Sequence, residues 1–109
     1  MPYNTKIVSF VETKLFTRLV NEYLTDDEYR RLQQALIADP ALGAVIPGSG
    51  GIRKVRWGMA GRGRQGGLRV IYFLRVRQRQ IWMLTLYSKN VADNITAHVL
   101  RHIRDEIDD

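Results

Sequence analysis

The chain has 109 residues, of which 45% are hydrophobic, and a net charge of +6, which suits a single domain over residues 1–109 with one modest core. It contains no cysteine, which excludes disulfide frameworks, cysteine nucleophiles and thiolate metal sites. Because no apolar run approaches the roughly 20 residues that cross a bilayer and the N-terminus lacks a signal-peptide pattern, we expect a cytoplasmic protein with no membrane partner.

The N-terminal part predicts one strand followed by two helices. Lys6–Val11 is short, apolar and β-branched, which is typical of a strand. A first helix follows because apolar residues recur at helical spacing: Leu15, Phe16, Leu19, Val20 and Tyr23. The run from Thr25 to Glu28 matches a capping box, which starts a second helix that ends near Ala38, before Pro40. Its expected inward-facing residues are Tyr29, Leu32, Leu36 and Ile37.

The C-terminal part predicts a loop, three strands and a last helix. The glycine-rich stretch Gly43–Gly51 indicates a loop. An antiparallel meander should follow, with strands at Ile52–Trp57, Leu68–Leu74 and Ile81–Tyr87. A helix over Asp93–Ile107 is expected, capped by Asp93 or Asn94, with one apolar face formed by Ile95, Val99, Ile103 and Ile107. The fold class is therefore α+β, with a small antiparallel sheet and its helices on one face.

Basic residues are concentrated between Pro40 and Ala92. This segment contains ten Lys and Arg and no Asp or Glu, whereas the rest of the chain has seven basic and eleven acidic residues. Such a polarised charge distribution favours a polyanionic partner such as nucleic acid. The predicted RNA- or ribosome-binding residues are Arg53, Arg62, Arg64, Arg75, Arg77 and Arg79. The alternative is a solvated sheet face whose arginines provide solubility.

Side-chain alternation in the first meander strand places Lys54 and Arg56 on one face and Arg53 on the other. We expect an exposed Arg69 on the neighbouring strand to lie within reach of that pair. Tyr87 and Lys89 come at the end of the next strand. Adjacent like charges repel by about 0.2–1 kcal/mol, so a site that brings them together is suited to an anion. The alternative is that these long side chains extend separately into water.

A basic cluster of this kind can cleave RNA without further groups. The segment has no paired carboxylates and no His, so metal-assisted or His-based hydrolysis has no candidate residues there. RNA brings its own nucleophile, the 2′-hydroxyl. Arg and Lys can stabilise the charge that develops on the phosphate and lower the pKa of a neighbouring Lys or Tyr. Such an enzyme requires ribose.

Two other patterns carry weaker signals. Gly61–Gly66 fits GxGxxG, but it lies between two strands and opens no helix, so a dinucleotide site is disfavoured. We predict instead a basic loop that contacts RNA phosphates through Arg62 and Arg64. The alternative is a plain hairpin loop. His98 and His102 have the i, i+4 spacing of metal ligands, but no third ligand is evident. We expect neither a metal nor another cofactor.

Three motifs resemble the RelE/HigB group of bacterial type II toxins, particularly its HigB-like branch: K-x-R at Lys54–Arg56, G-G-x-R-x-x-Y at Gly66–Tyr72, and L-Y-x-K-N at Leu86–Asn90. The resemblance extends from about Lys6 to Asn94. It implies a RelE-like fold and an endoribonuclease, or mRNA interferase, that cuts mRNA in the ribosomal A site and leaves a cyclic phosphate. It also implies a 70S ribosome partner and a cognate HigA-like antitoxin with a helix-turn-helix domain.

The resemblance also suggests roles for individual residues. Lys54 and Arg56 match the basic pair of the first meander strand, and Arg69 matches the arginine of the next; all three would contact the phosphate. Tyr87 and Lys89 occupy the region where the family supplies further basic or aromatic groups. The chain departs from the RelE pattern here, with Lys89-Asn90 where an arginine is common and no tyrosine in the C-terminal helix.

Two other functions remain open from the sequence. A ParE-like toxin would use the same scaffold to bind DNA gyrase without chemistry. A non-catalytic nucleic-acid-binding module would need only the basic segment. The combination of Lys54, Arg56 and Arg69 favours the nuclease. The antitoxin is expected to dock on Lys6–Val11 or on the two N-terminal helices, by an added strand or an apolar helix.

Overall fold

The computed structural model describes residues 8–58, 67–88, 97–105 and 107, and these form a five-stranded sheet with three α-helices. The elements in chain order are β1 (Ser9–Glu12), α1 (Lys14–Tyr23), α2 (Asp26–Ala38), β2 (Ala44–Val45), β3 (Arg53–Trp57), β4 (Leu68–Arg75), a short 3₁₀ turn (Val76–Gln78), β5 (Gln80–Ser88) and α3 (Ala97–Asp105). The spatial order of the strands is β1-β5-β4-β3-β2. The α+β class is confirmed.

The sheet is mixed. β3, β4 and β5 form the predicted antiparallel meander. β1 runs parallel to β5, with Ser9 opposite Gln80. Parallel neighbours need a long connection between them. Here that connection consists of α1, α2 and β2–β4. β2 lies in the segment predicted as a loop, where Ala44 pairs with Lys54. These pairings place β1 and β2 at the two edges of the sheet.

Threonine caps begin both N-terminal helices. The Thr13 hydroxyl accepts from the amide of Phe16 at 3.0 Å and donates to the carbonyl of Leu84 at 2.8 Å, which fastens the start of α1 to β5. Thr25 and Glu28 form the predicted capping box. Both helix starts therefore satisfy backbone amides that have no partner within the helix.

The sheet has an apolar core on each face. α1 and α2 cover one face with a cluster that includes Phe16, Val20, Leu32 and Leu36, together with Val70 and Tyr72 of β4. α3 covers the other face, with a cluster made of Ile52, Ile71, Phe73, Leu84, Tyr87, Leu100 and Ile107. The expectation that all helices share one face was therefore wrong. β4 is apolar on both sides, and a strand of this kind needs cover on both faces.

Three apolar positions differ from the helical patterns read in the sequence. Ile37 is 48% exposed and Leu15 is 39% exposed, although both were expected to face inward. Each precedes or follows a fully buried neighbour, and consecutive residues point about 100° apart on a helix. Among the side chains described on α3, Leu100 is buried and lay outside the predicted stripe; Ile107 is also buried, after the helix has ended.

Candidate functional site

Three of the predicted site residues form one row across the sheet. Arg56 of β3 lies directly opposite Arg69 of β4, and Arg69 lies directly opposite Tyr87 of β5. Opposed Cα atoms in antiparallel pairs are about 5 Å apart, so the row spans about 10 Å. Lys54 lies two residues before Arg56 on the same side of β3 and therefore beside these three residues. We call Lys54, Arg56, Arg69 and Tyr87 the basic row.

The basic row faces α3. Ile52, which shares its side of β3 with Lys54 and Arg56, belongs to the core under α3, whereas Val55 belongs to the core under α1 and α2. The alternation predicted for β3 is thereby confirmed. Arg53 points to the α1/α2 face, where its guanidinium donates to the carbonyl of Gly43 at 2.7 Å. Arg53 is thus apart from the other predicted site residues and has a structural contact instead.

Burial differs sharply along the basic row. Arg69 is only 6% exposed and Tyr87 only 7%, whereas Arg56 is exposed and Lys54 half-buried. The expectation that Arg69 is an exposed strand residue was wrong; it lies on a strand that has a neighbour on each side, β3 and β5. Arg69 and Tyr87 both have interaction partners within the fold. Their side chains are therefore held in place, while Arg56 presents its charge to solvent.

The electrostatics of the basic row favour an anion. Two arginines stand directly opposite each other at Arg56 and Arg69, an arrangement that costs free energy in the empty fold. The surrounding segment from Pro40 to Ala92 contains no Asp or Glu. Guanidinium groups donate bidentate hydrogen bonds that match phosphate oxygens. A bound phosphate would therefore reduce the repulsion between the two arginines.

The backbone beneath Lys54 is fixed by a buried tyrosine. The Tyr72 hydroxyl donates to the carbonyl of Pro40 and accepts from the amide of Gly43, both at 2.8 Å. Burial raises the pKa of Tyr72. A Cβ atom at Gly43 would lie 2.9 Å from the Lys54 carbonyl oxygen, so only glycine allows this close approach. These contacts hold β2 against β3 and so position the strand that carries Lys54.

A second group of predicted RNA-binding arginines lies at the other end of β4. Arg75 is half-buried and its guanidinium donates to the side chain of Gln80 at 3.2 Å. Arg77 and Arg79 are exposed in the β4–β5 turn. Six residues of strand separate Arg69 from Arg75, a distance of about 20 Å. One phosphate cannot contact both ends. Three further predicted residues lie outside the described part of the chain: Arg62, Arg64 and Lys89.

Thr85 is a polar residue near the basic row that the sequence motifs did not indicate. This buried residue lies opposite Ile71, which itself lies opposite Lys54. Its hydroxyl belongs to the face that carries the basic row. Counting back two residues from Tyr87 along β5 would have found it, because alternate residues of a strand share a face.

Metal and membrane features can be assessed within the described residues. No group of three or more His, Asp and Glu side chains there is close enough to hold a metal ion. Of the two histidines with metal-ligand spacing, His98 and His102, only the side chain of His102 is described, and it is exposed. No helix in the described ranges is both long enough and apolar enough to cross a membrane.

Comparisons with known proteins bear on the fold. No protein-family model matches the sequence. The structure is similar to the E. coli toxin RelE, solved in its free state as a double arginine-to-alanine mutant, with a TM-score of 0.54 and 14% identity over 89% of this chain and 96% of that chain. It is also similar to the archaeal RelE–RelB complex from Pyrococcus horikoshii, with a TM-score of 0.51 and 22% identity over 78% of this chain and 98% of that chain. The predicted RelE-like fold is confirmed.

Proposed function

We propose that this chain is the toxin of a type II toxin–antitoxin system and inhibits translation by cleaving mRNA on the ribosome. The observation that carries the proposal is the basic row, in which Arg56, Arg69 and Tyr87 are neighbours across three strands with Lys54 beside them. The RelE-like fold supports it, because the two similar structures are a toxin RelE and a RelE–RelB complex. The three sequence motifs that resemble the HigB-like branch lie on the strands that form this row and at their ends.

The proposed reaction is an internal phosphoryl transfer. The 2′-oxygen of the ribose attacks the adjacent phosphorus, a new P–O2′ bond forms and the P–O5′ bond breaks. The products are a 2′,3′-cyclic phosphate and a 5′-hydroxyl. Arg56 and Arg69 would bind the non-bridging oxygens, where negative charge accumulates in the transition state. Because Arg69 is held by its surroundings, little reorganisation would be needed when the phosphate binds.

Two protons must move in this reaction. One leaves the 2′-hydroxyl and one is supplied to the departing 5′-oxygen. Lys54 and Tyr87 stand on the strands that flank Arg69, so they can act on opposite sides of one phosphate. An ammonium or phenol group in such a position can donate a proton, and its deprotonated form can accept one. We assign the acid and base roles to this pair, with Lys89 as a further cation at the end of β5.

The proposed partners follow from the same function. The 70S ribosome presents the mRNA, so the protein acts in the cytoplasm. A separately encoded antitoxin neutralises the toxin, and the RelE–RelB neighbour supports a partner of this kind. We propose a HigA-like antitoxin with a helix-turn-helix domain. An acidic segment in it would be captured quickly by the basic segment, because opposite charges accelerate association.

Cleavage of mRNA on purified ribosomes tests the proposal. The full chain is added to ribosomes programmed with a defined mRNA, and the product ends are mapped and identified. We expect cuts that leave a cyclic phosphate and a 5′-hydroxyl. A single 2′-deoxynucleotide at the cut position should abolish that cut, because the nucleophile is then missing. Arg69→Ala should lose about 10²–10³ in cleavage rate and should no longer arrest growth when expressed.

The matched control is Arg31→Ala, which removes an exposed arginine from α2 and should cleave at the rate of the unaltered chain. Circular dichroism establishes that both variants are folded. Cutting that persists at the 2′-deoxy position would overturn the mechanism. A chain that leaves mRNA intact but inhibits DNA gyrase supercoiling would replace the nuclease with the ParE-like alternative. The chain should be less toxic when it is expressed together with the adjacent open reading frame, which is expected to encode the antitoxin. Equal toxicity in both cases would contradict the proposal of a cognate antitoxin.

A further inference from the structure

The turn between β4 and β5 carries two arginines that the fold does not use. Arg77 and Arg79 are both exposed. Among the described residues, neither side chain takes part in a hydrogen bond or an ion pair. Their backbone, by contrast, is well anchored: Gln80 accepts from both Arg75 and Trp82 at the base of the turn, and the carbonyl of Arg79 accepts from the amide of Ser9 at 3.1 Å. The turn therefore holds two charges that no described residue compensates, on an anchored backbone.

Arg79 has a backbone conformation that arginine does not favour. Its φ of 54° and ψ of 47° are left-handed, and among the described residues it is the only non-glycine residue with a positive φ. Glycine would adopt this conformation without the steric cost that a Cβ imposes. Strained backbone positions cluster at functional sites. The left-handed backbone of Arg79 and its exposed side chain, which has no partner among the described residues, together support a contact with a binding partner.

The chemistry of the turn matches RNA phosphate better than a lipid surface. The charges are all guanidinium groups, which bind phosphate oxygens bidentately. Val76 is 77% exposed, but it is a single apolar residue, and interfacial membrane binding needs a continuous apolar face. The basic row lies about 20 Å away along β4. RNA that reaches both places must present phosphates from separate parts of its backbone, as folded RNA does.

We propose that Arg77 and Arg79 form a second phosphate-binding site, which contacts the backbone of folded RNA at a distance from the site of cleavage. The choice of RNA as the ligand rests on the proposed function. This second site adds affinity and orientation and takes no part in bond breaking. It divides the basic segment into two surfaces, one that holds the scissile phosphate and one that holds the surrounding RNA.

The test is the salt dependence of binding to a 20-base-pair RNA duplex, measured by fluorescence anisotropy with the full chain. Each phosphate contact contributes about 0.9 to the slope of log K against log salt for a duplex. The double variant Arg77→Ala/Arg79→Gly should lower that slope by about 2 and weaken binding at 50 mM salt by roughly tenfold or more. The matched control Arg18→Ala/Arg31→Ala removes the same charge from α1 and α2 and should leave the slope unchanged.

The single variants separate a binding role from a structural one. Arg79→Gly should keep or raise the melting temperature, because the left-handed strain is removed, while it lowers the slope by about 1. Arg79→Lys should restore most of the binding, because the charge returns. A structural role predicts the reverse: a lower melting temperature with unchanged binding.

Several outcomes would overturn the second site. One is failure of the unaltered chain to bind the duplex, and another is a loss of slope in Arg18→Ala/Arg31→Ala as large as that in Arg77→Ala/Arg79→Gly. Loss of binding to phosphatidylserine vesicles by Arg77→Ala/Arg79→Gly, with RNA binding retained, would assign the turn to a membrane surface. Failure of the proposed nuclease is distinguishable from these, because a chain that cleaves nothing can still bind the duplex and show the slope change.

Discussion

The two faces of the sheet use the same strands for different purposes. On the α1/α2 face, polar groups of β3 and β4 bond to the fold itself: Arg53 to Gly43, and Tyr72 to Pro40 and Gly43. On the α3 face, Arg56 and Arg69 oppose each other with no acidic residue nearby in the sequence. The difference follows from single-residue alternation along β3. Stability and function should therefore be separable by changing adjacent residues.

Arg56→Ala and Arg53→Ala form the sharpest pair. Arg56→Ala should lower mRNA cleavage about 10²–10³-fold and leave the free energy of unfolding within about 0.5 kcal/mol of the unaltered value, because the side chain is exposed. Arg53→Ala should retain cleavage and lose about 1 kcal/mol of stability with the hydrogen bond to Gly43. Urea unfolding and the ribosome cleavage assay measure both. Equal loss of cleavage in the two variants would remove the distinction between the faces.

Tyr72→Phe tests the α1/α2 face alone. The substitution keeps the buried ring and removes the hydroxyl, which leaves the carbonyl of Pro40 and the amide of Gly43 without their partner. The free energy of unfolding should fall by about 1–3 kcal/mol. In the folded protein, cleavage should fall less than it does for Arg56→Ala, since the effect on Lys54 is indirect. An unfolding free energy equal to that of the unaltered chain would show that the hydrogen bonds of Tyr72 to Pro40 and Gly43 do not stabilise the fold.

Tyr29 provides a smaller and pH-dependent contrast. Burial raises its pKa above the ordinary value of 10.0, and the hydrogen bond that its hydroxyl donates to Glu12 raises the pKa further. The folded state therefore keeps the proton while the unfolded chain ionises. The contribution of Tyr29 is complete below pH 10 and is lost as the pH rises above 10.

The measurement compares the free energy of unfolding of Tyr29→Phe and the unaltered chain at pH 8 and pH 11. The difference between the two proteins should be larger at pH 8. A difference that does not change with pH would mean that Tyr29 has the same pKa in the folded and unfolded states. No effect on cleavage is expected, since Tyr29 packs against the α1/α2 core.

Much of the local structure follows from sequence patterns. The capping box at Thr25–Glu28 and the end of α2 at Ala38 occur where they were predicted, because caps and prolines act on their immediate neighbours. The meander and the alternation in β3 also occur as predicted. The grouping of Arg56 with Arg69 was predictable for the same reason: short antiparallel connections and a period of two determine which side chains are neighbours.

The remaining features were decided by contacts between distant parts of the chain. The sequence alone established the composition, the helix caps, the strand periodicity and the basic segment, since each depends on residues within a few positions of one another. Only the tertiary structure placed β1 parallel to β5 and α3 on the second face. It also buried Arg69 and separated Arg77 and Arg79 from the basic row. Burial and face are properties of the packed sheet, and a local pattern records only which residues alternate, not what will cover them.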